Sequence, residues 1–248
     1  METRIIHHGA TDSTSERAFA ALSDGSAAHG DVHTASAQSA GRGRFGREWS
    51  SPPGGDLYAS LILLPKPPGL HPVGLTMAVG LGVLRGLERL GASDLRLKWP
   101  NDVIDTDGSK LAGVLIESRG LRPDAPHYVA GFGVNVTRTA FPPELQAERP
   151  VTSLALQGVE ADATQTLHAI LPEVDAALSQ LDSSPHILCS AFVERTGLYG
   201  GDVEVTRAGE SLRGRIVSLN LEEGLTLDST DGGRVVLSLE HVSALQLL

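Results

Sequence analysis

Apolar positions change their period several times along this chain, and each change predicts an element. Ala18, Phe19 and Leu22 recur at helical spacing after Asp12-Ser13-Thr14-Ser15-Glu16, where Ser13 and Glu16 stand at capping-box separation. A polar stretch of small residues fills 23–51 and ends in the glycine-punctuated segment 41–51, which reads as a loop. Residues 57–64 are almost wholly apolar, as in a buried strand. Leu75, Val79, Val83, Leu84, Leu87 and Leu90 share one helical face, and Gly91 ends it. Residues 95–99 alternate apolar with charged, predicting a strand with one buried face, and Pro100-Asn101-Asp102 breaks it. Two more strands are expected at 111–117 and 128–136, with Asp107-Gly108 joining 95–99 to the first of them in a tight hairpin. Leu167, Ile170, Leu171, Val174, Leu178 and Leu181 mark another helix, which Pro172 should kink or divide. Beyond Gly197 come five short β runs, 202–206, 212–219, 225–228, 235–239 and 242–247, separated by turns such as Asp231-Gly232-Gly233. Short strands at such close spacing read as a small barrel. The pattern therefore predicts an α+β chain with one domain over 1–197 and another over 198–248.

Composition narrows the classes. The chain has 248 residues, 41% of them hydrophobic, enough for a large domain and a small one. A net charge of -10 argues against a nucleic-acid partner and makes any basic cluster conspicuous. The single cysteine, Cys189, excludes an internal disulfide and a multi-cysteine zinc site, and it fits a reducing, cytoplasmic setting. Residues 1–10 lack the apolar core of a signal peptide. The longest uncharged run, 67–84, is interrupted by prolines and glycines, so no membrane partner is expected. The nine histidines show no metal-binding spacing, and His29 and His33 read as surface residues. Neither a G-x-S-x-G elbow nor a Walker lysine loop nor a dinucleotide fingerprint is present.

Five segments could carry chemistry. In Gly41-Arg42-Gly43-Arg44-Phe45-Gly46-Arg47-Glu48-Trp49, three arginines share a flexible loop. Guanidinium groups pair bidentately with phosphate or carboxylate, glycines admit an anion to the backbone, and Trp49 could stack on a base. A solvated basic loop or an RNA contact would give the same pattern, although the acidic chain and the lack of interleaved aromatics weigh against RNA. Lys98-Trp99-Pro100-Asn101-Asp102 is turn chemistry whose amide and carboxylate would also suit magnesium and phosphate. Lys110 opens an apolar strand as either an edge charge or a fixed cation, and Gly113 would let a ligand lie on that strand. Gly131-Phe132-Gly133-Val134-Asn135 places two glycines and a polar amide in an apolar run, implying close approach and a buried hydrogen bond. In Ser13-Thr14-Ser15 helix capping explains Ser13 fully, and hydroxyls at a helix N-terminus also bind polar ligand groups.

The order of these segments resembles the biotin–protein ligase family. Ser13-Thr14, Gln38, GRGRFGR, Pro53-Gly54-Gly55 with Leu57-Tyr58, KWPND, KLAG with Glu117, and GFGVN follow one another as in that family over roughly 10–140. The resemblance implies a class II aminoacyl-tRNA synthetase-like mixed sheet with helices, followed by an SH3-like β-barrel. It implies an enzyme that uses ATP to form biotinyl-5'-AMP and pyrophosphate, then transfers biotin to a lysine of a biotin carboxyl carrier protein. By matching position, biotin would meet Ser13, Thr14, Ser15, Gln38, Gly41, Arg42, Gly43, Arg44, Lys110 and Gly113. ATP would meet Arg44, Arg47, Trp49, Asn101, Lys110 and Asn135, and Asp102 would hold Mg2+. Lys110 and Arg44 would be catalytic.

The chain departs from the family at Ser15, where Asn is usual, at the small residues Ala35, Ser36 and Ala37, and at Asp56 between Gly55 and Leu57. With the first motif a dozen residues in, a ligase without the DNA-binding repressor domain is expected, as a monomer or weak homodimer. The rival readings are a lipoate– or octanoate–protein ligase, whose R-R-x-x-G-G-G-x-V-x-H-D type segment is missing here, and a non-catalytic nucleotide- or biotin-binding module.

Overall fold

The long apolar runs become the central strands of one large sheet. The computed structural model describes residues 3–66, 70–120, 124–207 and 209–248. In chain order the first half holds β1 (Ile5–His7), β2 (Ala10–Thr11), α1 (Thr14–Asp24), β3 (Val32–Ala35), β4 (Ala37–Gln38), β5 (Leu57–Leu63), α2 (Pro72–Arg89), β6 (Arg96–Lys98), β7 (Asp102–Ile104), β8 (Lys110–Glu117) and β9 (Tyr128–Val134). Three helices follow: α3 (Pro143–Glu148), α4 (Ala163–Ser183) and α5 (Pro185–Thr196). The chain ends with β10 (Asp202–Arg207), β11 (Glu210–Asn220), β12 (Gly224–Ser229), β13 (Arg234–Leu237) and β14 (Val242–Leu247). Seven strands form the large sheet in the order β1-β3-β5-β9-β8-β7-β6. Only β1 and β3 run parallel, which makes the sheet mixed.

The period of two along β5 separates the sheet's faces. Leu57, Ala59, Leu61 and Leu63 enter the main core beside α2 and α4, whereas Ile62 packs with Ala18 and Phe19 of α1 on the other face. Behind the sheet α2 and α4 cross closely. A Cβ added at Gly82 or Gly86 would lie 2.5 Å from the Cα of Val174 or Ile170, so only glycine permits this approach. Pro172 neither divides nor ends α4, contrary to expectation. It sits on the exposed side, where water can take the carbonyl it strands, and the burial of Ile170, Leu171 and Val174 against α2 offsets the roughly 3 kcal/mol proline penalty.

Several elements were not foreseen. β3 lies within the stretch read as featureless, and all four of its residues are buried although two are polar. His33 is therefore a core residue rather than a surface one, 3% exposed and stacked on His8, while His29 is exposed as expected. The run 95–99 turns back into β7, so Asp107-Gly108 links β7 to β8 instead of joining 95–99 to 111–117. α5 buries Leu188, Cys189 and Phe192 against α2 and the C-terminal sheet.

That sheet has the order β13-β12-β11-β10-β14, antiparallel throughout, with a 3-10 turn (Leu239–His241) bridging from β13 to β14. Its interior residues Val203, Val205, Ile216, Leu227 and Leu237 are continuous with the core beneath α2 and α5. Trp99 ties the two parts together: its Nε1 donates to the Val242 carbonyl at 2.9 Å, and its ring meets Phe192 edge-on. Among the described residues no helix is long and apolar enough to cross a membrane.

Candidate functional site

The α1 face of the sheet is polar where the opposite face is apolar, and a cavity of about 350 Å³ opens on it. One end is built by the start of α1. Ser13 occupies the N-cap position, yet its side chain caps nothing, and the expected capping box with Glu16 does not form. The free helix N–H is taken from outside the helix: Gln38 Oε1 accepts from Thr14 N at 2.8 Å and from Thr14 Oγ1 at 3.2 Å. Thr14 and Ser15 also bond Ser60 Oγ on β5, at 2.8 and 3.1 Å. Three buried hydroxyls and an amide thus crowd one end of the cavity, a set able to donate to and accept from a polar ring.

The floor is made by glycines. Gly113 on β8 and Gly133 on β9 are register partners, and with Gly131 they leave a flat strip without side chains. The indole of Trp49 lies on that strip. A Cβ at Gly133 would overlap it, and one at Gly113 would come within 3.0 Å. The indole N–H is buried without a partner, so it is open to a ligand acceptor.

The other end is cationic. Lys110 Nζ sits 2.6 Å from Asp102 Oδ1 and 5.1 Å from the centre of the Trp49 ring, with its side chain 10% exposed. Burial pulls the lysine pKa down, and the Asp102 carboxylate opposes that and favours the cation. Arg44 also has its pKa lowered by burial, again against the pull of Asp102. Arg42, Arg44, Arg47, Lys98, Lys110 and Arg149 line the cavity against the acids Glu48, Asp102 and Glu148. An excess of cations in so acidic a chain suits a polyanion.

Arg42 is anchored rather than free. It pairs with Glu16 and, at 3.1 Å, with Glu117, while Arg119 grips Glu16 from the far side at 2.8 and 2.5 Å. These partners, Arg119 foremost, hold the Glu16 carboxyl below its ordinary range. Phe45, at the loop's tip, has φ 57° and is 73% exposed.

The pattern of the biotin/lipoate A/B protein ligase family matches residues 9–135, just over half of the chain. A biotin--[acetyl-CoA-carboxylase] ligase of Mycobacterium tuberculosis is 32% identical over 232 residues, covering 91% of this chain and 83% of that one. The chain belongs to this family. The bifunctional ligase/repressor BirA of Escherichia coli is 36% identical over 149 residues, 60% of this chain and 46% of BirA. The chain thus spans about half the length of the bifunctional relatives it matches. The biotin protein ligase of Aquifex aeolicus, solved with biotin and ATP, superposes with a TM-score of 0.80 at 26% identity, covering 99% of both chains. The mixed sheet with helices and the C-terminal antiparallel sheet are those of the family's solved members.

Within this family fold, Ser13, Thr14, Ser15, Gln38, Arg42, Gly43, Arg44, Arg47, Trp49, Asn101, Asp102, Lys110 and Gly113 line one cavity. Two residues of the motif set stand behind it. Gly41 is packed against the Trp49 carbonyl and Ser51, with no room for a side chain. Asn135 donates to the carbonyls of Thr152 at 2.8 Å and Lys110 at 3.3 Å, fixing the backbone from which Lys110 projects. Asn101 reaches the cavity, but its amide donates to the Val114 carbonyl at 2.7 Å and holds the Pro100 turn onto β8. The sequence reading overlooked Ser60, Arg149 and Ser243. Ser60 carried a signal as the lone hydroxyl between apolar residues of the run 57–64. Arg149 and Ser243 carried none, since only the fold brings α3 and β14 to the rim.

Proposed function

We propose that the protein is an ATP-dependent biotin–protein ligase that forms biotinyl-5'-AMP and transfers the biotin to a lysine of a carboxylase biotin domain. The observation that carries this reading is the single cavity with hydroxyl groups at one end, a glycine floor in the middle and the Lys110–Asp102 pair with the arginine loop at the other. A bicyclic ring with a carboxylate tail fits that gradient, its ring among Thr14, Ser15, Gln38 and Ser60 and its tail directed at Lys110. The Aquifex aeolicus neighbour solved with biotin and ATP, and the Mycobacterium tuberculosis relative named for biotin and acetyl-CoA-carboxylase, support these substrates.

In the first step a biotin carboxylate oxygen attacks the α-phosphorus, and the bond from the α-phosphorus to the α,β-bridging oxygen breaks, so that oxygen leaves with the β- and γ-phosphates as pyrophosphate. Both reactants are anions. Lys110 and Arg44 offset their repulsion and stabilise the charge that builds on the α-phosphate. Burial makes each cation count for more than it would in water. In the second step the acceptor amine attacks the biotinyl carbonyl, an amide forms, AMP leaves and the amine gives up a proton. The Arg loop, tethered at Arg42 by Glu16 and Glu117, would keep water from the mixed anhydride.

Among the described residues no three His, Cys, Asp or Glu side chains are grouped to hold a metal. A magnesium ion arriving with a triphosphate needs only one or two protein carboxylates, the remaining oxygens being phosphate and water. Asp102 would hold it, and the ion would supply neutralisation of the leaving pyrophosphate.

The test is single-turnover pyrophosphate release from ATP and magnesium with biotin, and with lipoate in parallel. A biotin-dependent burst with adenylate retained on the protein is expected. A burst with lipoate alone moves the protein to the other branch of the family, and no burst with either leaves a binding role.

A further inference from the structure

Asp56, the residue that departs from the family pattern, is the centre of a buried knot behind Trp49. Its side chain is 2% exposed and ion-paired with Arg138, itself 12% exposed. Asp56 Oδ1 also accepts from Val136 N at 2.7 Å and Thr137 N at 3.2 Å, so the carboxylate holds the chain where it leaves β9, next to Asn135. The Arg138 guanidinium turns its other edge to the Arg loop. Nη2 donates to the Ser50 carbonyl at 2.8 Å, and Nη1 to Ser50 Oγ at 3.2 Å. Ser50 is the neighbour of Trp49. On its other side Ser51 Oγ donates to the Trp49 carbonyl at 2.9 Å and accepts from Gln38 Nε2 at 2.8 Å. The Arg138 carbonyl accepts from Ser153 Oγ, which adds the segment after α3, the one bearing Arg149, to the same knot.

The indole is the only cavity group resting on the glycine strip that comes from the loop rather than the sheet among the described residues, so its place depends on how the loop's foot is fixed. We propose that Arg138, oriented by Asp56, is a positioning residue that clamps Ser50 and so sets Trp49 over Gly113 and Gly133, fixing the affinity of the site for its nucleotide. An isolated buried carboxylate would be costly, whereas a paired one with two backbone donors is satisfied and rigid. A planar fork is required because one cation must meet a carboxylate and a carbonyl in fixed directions, which an ammonium cannot do. The part that names the nucleotide rests on the ligase reading. The part that concerns Trp49 does not.

The experiment uses the full chain with Arg138→Lys and, separately, Asp56→Asn. Arg138→Lys keeps the charge on Asp56 and loses the fork to Ser50. Asp56→Asn keeps an acceptor for Val136 and Thr137 and releases Arg138. Acrylamide quenching of tryptophan fluorescence without ligand reads Trp49, because Trp99 is buried. Both variants should raise the quenching constant about 3-fold and raise KM for ATP about 10-fold, with kcat within 2-fold and KM for biotin unchanged, a tenfold change being about 1.4 kcal/mol. Unchanged quenching in both folded variants overturns the proposal whatever the activity does, as does a loss confined to Tm. Raised quenching in a protein that shows no biotin-dependent pyrophosphate release keeps the positioning role and removes the ligase reading.

Discussion

The two faces of the central sheet use glycine for opposite ends. On the α2 face, Gly82 and Gly86 let two helix backbones meet, and the space a side chain would need is already full of Val174 and Ile170. On the α1 face, Gly113, Gly131 and Gly133 clear a strip on which the loop-borne Trp49 indole rests, with the end of the Lys110 side chain beside it at Gly113. The first arrangement makes a rigid wall, and the second makes a place for something to lie. A rigid wall on one face is what lets the other face hold cations and hydroxyls in fixed positions, since well-packed interiors deform little.

Four measurements test this contrast. Lys110→Ala removes the cation at the end of the strip. It should lower adenylate formation by about 10³-fold or more while leaving circular dichroism and Tm near wild type, in line with losses of single electrostatic groups elsewhere. Gly86→Val belongs to the opposite face. It should cost about 3 kcal/mol or more in chemical denaturation, because the clash is with the Ile170 backbone. If Gly86→Val proved neutral, the rigid wall would be a poor description.

The third measurement concerns acid. His33 lies on the polar face as the register partner of Ser60, with its Nδ1 2.9 Å from His8 Nε2, and burial holds its pKa down at about 4. The neutral ring is the folded form, so the unfolded chain binds the extra proton as pH falls below about 6.5. The stability contributed is present above that pH and lost towards pH 4, about 3 kcal/mol in all. Denaturation at pH 7 and pH 4.5 should show this slope in the wild type and a flatter one in His33→Gln. Last and smallest is Gly133→Ala. Its Cβ would displace the Trp49 indole, so nucleotide affinity should fall about 10-fold, roughly 1.4 kcal/mol, while stability changes by less than about 1 kcal/mol. A large loss of stability instead would show the strip to be packing rather than a binding floor.

Elements with a strong period were legible along the chain: β5, β8, β9, α2, α4 and the five short C-terminal strands. Those with mixed polarity were not. β3 reads as polar because His33 and Thr34 are buried through partners, His8 and His7, that sit on the neighbouring N-terminal segment. α5 hides its apolar face within a short helix that is separated from α4 by Ser184 alone. The site motifs were visible as segments, and most of their residues share one cavity, but the assignment of work within them was not visible. Ser13 and Glu16 have capping spacing, yet Gln38 caps the helix and Glu16 holds Arg42. Asp56 looked like an interruption and is a buried anchor.

Local chemistry decided what the sequence alone could determine. Period sets strand or helix, glycine spacing sets where backbones or ligands approach, and the clustering of arginines in an acidic chain points to a candidate anion site. The partner of each polar side chain was set instead by the folded chain. A hydrogen bond or ion pair is short-ranged and directional, so its strength depends on which groups the sheet brings within about 3 Å. Lys110 with Asp102, Arg138 with Asp56 and Ser50, and Gln38 with Thr14 are separated along the chain, and only the folded sheet places them in reach.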